Sequence, residues 1–100
     1  MGKLVRDGIP DIIRAEGGNP DIIVLDEPSY RQALLAKLIE EAAEAQSASP
    51  DALIDELADV WEVLQATSTA HGFTMQAVVE AADRKQQERG GFNERLWLET

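Results

Sequence analysis

Apolar residues recur at helical spacing over most of the chain. Leu34, Leu35, Leu38, Ile39 and Ala42 form one stripe, and Leu53, Ile54, Leu57, Val60, Trp61 and Leu64 a second. Intervals of three and four residues mark helices with one apolar side. Ser29, with Gln32 three residues on, reads as a capping box, so the first long helix is predicted over 30–46. Ser49 and Pro50 read as the N-cap and first residue of the second. Gly72 ends that helix in a left-handed conformation. Thr74 caps a third over 75–89, stopped by Gly90 and Gly91. Upstream, Pro10 opens a helical turn through Arg14, and Gly17 and Gly18 stop it. The β-branched run 21–25 reads locally as a strand. It has no second strand to join, so an extended arm, or pairing with a copy in another subunit, is the expectation. The tail carries Phe92, Leu96, Trp97 and Leu98 and is expected to pack on the bundle or on a partner. The pattern is all-α: one domain over 1–100, an antiparallel helical bundle with a short N-terminal helical turn and an extended arm. A helical chain of this size often completes its core by oligomerising.

Charge narrows the function. Nineteen acids face nine bases, a formal net charge of −10. That argues against a nucleic-acid binder or an anionic-membrane binder, each of which needs a basic surface. No cysteine is present, so disulfide and thiolate chemistry are out, and one histidine makes no histidine metal site. Without an apolar run of membrane length or a leader-like start, the expected location is the cytoplasm.

The acids are concentrated. The stretch KLIEEAAEAQSASPDALIDELAD holds Glu40, Glu41 and Glu44 in the order EExxE, then Glu56 and Asp59 in the order ExxD. On a helix, Glu41 with Glu44, and Glu56 with Asp59, share a side. If the Ser-Ala-Ser-Pro break folds the two helices antiparallel, the two pairs can face each other. At an effective dielectric of 20, two unit charges 4 Å apart repel by roughly 4 kcal/mol. Converging carboxylates therefore require a cation, and an all-oxygen donor set suits Mg²⁺ or Mn²⁺. A rotation of about 100° per residue puts Glu41 and Glu56 at the edges of their apolar stripes. Glu44 and Asp59 fall further round. All four converge only if the far sides, with Ala43, Ala58, Val63 and Ala66, are covered by another subunit.

The plainer reading is a solvated acidic face, since glutamate favours helices. Against it, Arg31 and Lys37 are the only bases between Tyr30 and Thr74, whereas helices charged for solubility interleave both signs. Other residues carry paired readings too. Lys85 and Arg89 either reach phosphates or complement a helix C-terminus. Arg6 and Lys3 either bind phosphate or neutralise a nearby acid. Trp61 sits in the apolar stripe, where core packing outweighs stacking on a base. Trp97 has the same two readings. His71 at a helix end reads as capping or solvated.

The EExxE…ExxD arrangement of Glu40, Glu41, Glu44, Glu56 and Asp59 resembles the motif of the all-α nucleoside triphosphate pyrophosphohydrolases, the superfamily of MazG, the phosphoribosyl-ATP pyrophosphohydrolases and the dimeric dUTPases. The opening KLVRDGIPDII and the closing RKQQERGGFNERL resemble the ends of the small MazG-like members. Gly8 stands where that pattern leads one to expect lysine. The resemblance implies a dimer or tetramer and Mg²⁺-dependent hydrolysis of a nucleoside triphosphate to monophosphate and pyrophosphate. It implies Glu41, Glu44, Glu56 and Asp59 as metal ligands and Glu40 or Glu41 as the base. Lys3, Arg6, Lys85 and Arg89 would meet the substrate. Phosphoribosyl-ATP hydrolysis in histidine synthesis is the nearest alternative. A non-catalytic acidic helical interaction module is the alternative from another class.

Overall fold

The computed structural model describes residues 2–99. Among them are four helices and no strand: α1 (Ile9–Ala15), α2 (Glu27–Ser47), α3 (Leu53–Ala70) and α4 (Met75–Arg89). The all-α expectation holds. Among the described residues, no helix is long and apolar enough to cross a membrane.

Helix ends follow local chemistry, with two corrections. The cap of α2 is Asp26, not Ser29: its carboxylate accepts the Ser29 backbone N–H at 2.9 Å. Proline is tolerated in a first helical turn because its missing N–H has no partner there anyway, so Pro28 does not delay the start. The same bond holds the Asp26 carboxyl below its ordinary pKa. Ser49 and Pro50 open a turn rather than α3 itself. The Ser49 carbonyl accepts from the N–H groups of Ala52 and Leu53, and α3 begins at Leu53 without a side-chain cap. The other ends are as expected. Gly72 has φ 83°, and the N–H groups of Gly72 and Phe73 return to the carbonyls of Thr69 and Ser68. That is the paired closure which a left-handed residue permits. Thr74 accepts from the Ala77 N–H, and Gly90 has φ 81°. Residues 18–26 are neither helix nor strand, matching the extended arm.

The five-residue break folds α2 back on α3 as a hairpin, and α4 leans on α3 without reaching α2. One chain therefore does not close a bundle. The Cα radius of gyration is 17.2 Å, against about 13 Å for a closely packed domain of 100 residues. Leu34 is the one buried large apolar residue among those described.

The inward faces of the hairpin are rotated part-way round from those expected. Along α2 the inward line is Leu34, Lys37, Leu38, Glu41 and Ala45, while Ile39 is 72% exposed. Glu41 follows Leu34 by seven residues, which brings it back within about 20° of the same direction. Along α3 the inward line includes Glu56, Asp59, Val60 and Val63. Ile54, Leu57 and Trp61 point out, Trp61 at 51% exposure. The apolar stripe of α3, read as core, is largely uncovered, and the edge bearing the acids is what α2 covers. The tail also departs from expectation. Phe92, Leu96, Trp97 and Leu98 are all more than four-fifths exposed, so it does not pack on its own helices.

Candidate metal centre

Glu41 reaches inward because it lies on the α2 line that starts at Leu34. Glu56 and Asp59 are three apart on α3 and so share a side. The hairpin brings the three together: one carboxylate oxygen from each lies within 4.8 Å of the others. Asp59, which the rotation argument put further round, joins without a second subunit; Glu44 does not. Glu41 is only 6% exposed. Oε2 of Glu41 and Oε2 of Glu56 are buried with no hydrogen-bond donor. Leaving a buried charged acceptor unsatisfied costs more than the 1–3 kcal/mol typical of a neutral group. Two such oxygens within one cluster of converging carboxylates fit a site for a hard divalent cation, which prefers carboxylate oxygen.

Bases of the same chain already offset part of the charge. Lys37 Nζ lies 3.4 Å from Glu41 Oε1 and 3.7 Å from Glu40 Oε2. From the N-terminal segment, Arg6 donates to Asp59 Oδ1 at 2.7 Å. Lys3, Arg6, Lys37, Glu41, Asp59 and Glu62 line a groove of about 250 Å³. A water occupies about 30 Å³ in the liquid, so the groove has room for an ion with its waters or a phosphate group. A larger cavity of about 660 Å³ lies on the other side of the segment, between the arm and α2. It is lined by Ile22, Leu25, Tyr30 and Ala33 and shares Lys3 and Arg6 with the groove.

Glu44 stands outside the group of three. It is exposed, and its pKa is raised, first by the Glu41 charge, then by partial desolvation and contact with Glu41, with Glu56 and Glu40 adding to it. The folded chain thus holds this proton more tightly than the unfolded chain. That stability is full below the ordinary glutamate pKa of about 4.3 and is lost as pH rises through the folded value. Without metal, the Glu44 contribution to the melting temperature should therefore fall as pH is raised above the ordinary glutamate value. Glu44→Gln should flatten that part of the slope; an unaltered slope in thermal melts of the variant would show that Glu44 is not its source.

Glu40 lies at the rim, half exposed and beside Lys37. Lys85 and Arg89 lie on the exposed side of α4 and line neither cavity, so one chain does not bring them to the acids. His71 has its Nδ1 2.8 Å from the Thr67 carbonyl, a helix-end role. Sequence reasoning gave Lys37 no role at the site. Its signal was the i,i+3 and i,i+4 spacing to Glu40 and Glu41, which puts a base over both.

No family model and no solved structure matches the chain. Over 48 residues it is 52% identical to an uncharacterized protein of Mycolicibacterium smegmatis, a stretch covering 48% of this chain and 49% of that one. The chain thus matches about half the length of that relative.

Proposed function

We propose that this chain is a divalent-metal-dependent nucleotide pyrophosphohydrolase that cleaves a nucleoside triphosphate, or a related compound, to a monophosphate and pyrophosphate. The observation that carries the reading is the convergence of Glu41, Glu56 and Asp59 around two buried carboxylate oxygens that lack a donor. The resemblance of the EExxE…ExxD motif supplies the reaction class.

Glu41, Glu56 and Asp59 would hold Mg²⁺ or Mn²⁺, with Glu44 outside the three and next to Glu41. The ion would supply charge neutralisation for a polyphosphate and polarise a water. The other roles fall to the chain itself. Lys3 and Arg6 line both the groove and the larger cavity, and would meet phosphate oxygens in one and the nucleoside part in the other. Glu40, at the rim and outside the three converging acids, is the carboxylate most available to take a proton from water. Lys37 holds Glu40 and Glu41 in register. A mimic of nucleic-acid charge gains nothing from burying Glu41, so that burial favours the enzyme over an acidic interaction module.

We also propose a cytoplasmic homodimer or homotetramer in which the outward stripe of α3 and the C-terminal tail are covered by another copy. The support is the amount of apolar side chain left in water: Ile54, Leu57, Trp61, Phe92 and Trp97 are each more than half exposed.

A metal titration tests the site. A ligand bound only by the folded state at ten times its Kd adds roughly 1.4 kcal/mol. For a chain of this size that is about 5–10 °C in melting temperature. Millimolar Mg²⁺ or Mn²⁺ should give a rise of that order, and Na⁺ at matched ionic strength should not. An equal response to all three would mean general screening of acidic repulsion and no site.

A further inference from the structure

Among the described residues, the Arg6–Asp59 bond is the one side-chain hydrogen bond joining distant parts of the chain; the others span four residues or fewer. It ties the irregular N-terminal segment to the middle of α3, and it ends on one of the three converging carboxylates. The Arg6 side chain is more than half exposed, and that of Asp59 is 39% exposed. An ion pair so open to water is weak, so another cation can take the place of the guanidinium at little cost. Arg6 also lines the larger cavity beside Lys3 and Tyr30, so a released side chain has space on the other side of the segment. Lys37 differs: its side chain is only 20% exposed, and it keeps Glu40 as a partner whatever happens at Glu41.

We propose that Arg6 is a two-position residue. It is the counter-cation of Asp59 while the acids carry no divalent ion. It gives up that carboxylate when an ion binds, and then serves the anionic end of the substrate. Metal loading and substrate capture are thereby coupled through one side chain, and the N-terminal segment loses its tie to α3 in the metal-loaded, substrate-free state. The inference rests on the reading of the acids as a divalent-cation site. It requires that Arg6 oppose the metal and favour the anion, whereas a residue that merely positioned Asp59 would favour both.

The test is calorimetric titration of Mn²⁺ into the full chain and its Arg6→Gln and Arg6→Lys variants, followed by titration of pyrophosphate into each Mn²⁺-loaded protein. Removing an exposed pair that competes with the ion should tighten Mn²⁺ binding by up to about fivefold in Arg6→Gln. The same variant should bind pyrophosphate more weakly, and Arg6→Lys, which keeps the charge, should stay near the parent in both. Unchanged or weaker Mn²⁺ binding by Arg6→Gln, with the parent chain binding normally, would overturn the exchange and leave the metal site standing. Absence of Mn²⁺ binding in parent and variants alike would overturn the metal site and the exchange together. Circular dichroism of Arg6→Gln matching the parent confirms that each result comes from the folded chain.

Discussion

Glu41→Gln will abolish the melting response to Mg²⁺ and lower pyrophosphate release by at least the roughly 10-fold to 100-fold that loss of a mere supporting partner of a metal ligand costs. The same position should behave in the opposite way in the metal-free protein. Glu41 is a nearly buried carboxylate, with Lys37 near one oxygen and no donor at the other. Exchanging buried charge for a well-packed apolar side chain is often neutral or stabilising by about 1–4 kcal/mol. Lys37 would keep Glu40, so Glu41→Leu leaves no orphaned base. Metal-free Glu41→Leu should therefore melt above the parent chain, while remaining inert to metal and inactive. The opposing account makes Glu41 a structural partner of Lys37. Breaking a required buried pair costs about 3–5 kcal/mol, and such a loss in metal-free melts of Glu41→Leu would support that account. The two expectations differ in sign, so the melts decide between them.

The second large effect is expected at Trp61. It lies with Ile54 and Leu57 on the outward side of α3, all three at least half exposed. On a monomer, a substitution at so open a position changes stability by no more than about 0.5 kcal/mol. On an oligomer whose copies meet there, a buried aromatic is the type of residue whose loss costs 2 kcal/mol or more. Trp61→Glu should therefore dissociate the assembly in sedimentation and lower the helical signal in circular dichroism, because one chain by itself buries so little. A parent chain that sediments as a monomer, with full helicity at micromolar concentration, would remove the case for oligomerisation.

The elements themselves were legible in the sequence because helix ends depend on nearby residues. Pro10, Gly17, Gly72, Thr74 and Gly90 act within a turn of their own position, and each acts as its type predicts. The Asp26 cap was misplaced because Asp26 and Ser29 are both good caps, and only the competition between them sets the start of α2. The side of each helix that faces inward was not legible. Periodicity shows that a helix has an apolar side; it does not say whether that side meets the same chain or another. Leu34, Leu35, Leu38 and Ile39 spread round much of α2, so a shift of a quarter turn trades Ile39 for Glu41 at little apolar cost. On α3, Glu56 and Asp59 lie next to Val60 and Val63, and a similar shift brings them in.

The identity of the acids was legible for a different reason. Glu40, Glu41, Glu44, Glu56 and Asp59 stand out as carboxylates with few bases nearby in sequence; which three converge does not. The Arg6 contact was not legible in the same way, since 53 residues separate it from Asp59. Lys85 and Arg89 show the converse. Their spacing is right for a pair of phosphate contacts, but α4 reaches only α3, so the chain's own topology keeps them from the groove.

The central claim is hydrolysis of a phosphoric anhydride at the Glu41–Glu56–Asp59 centre. Its most direct test is pyrophosphate release from a panel of nucleoside triphosphates and phosphoribosyl-ATP, assayed with Mg²⁺ and with the metal chelated. The account predicts release from at least one member of the panel, dependent on Mg²⁺ and lost in Glu41→Gln. Absence of release across the panel with Mg²⁺ present, or release that persists in Glu41→Gln, would contradict it.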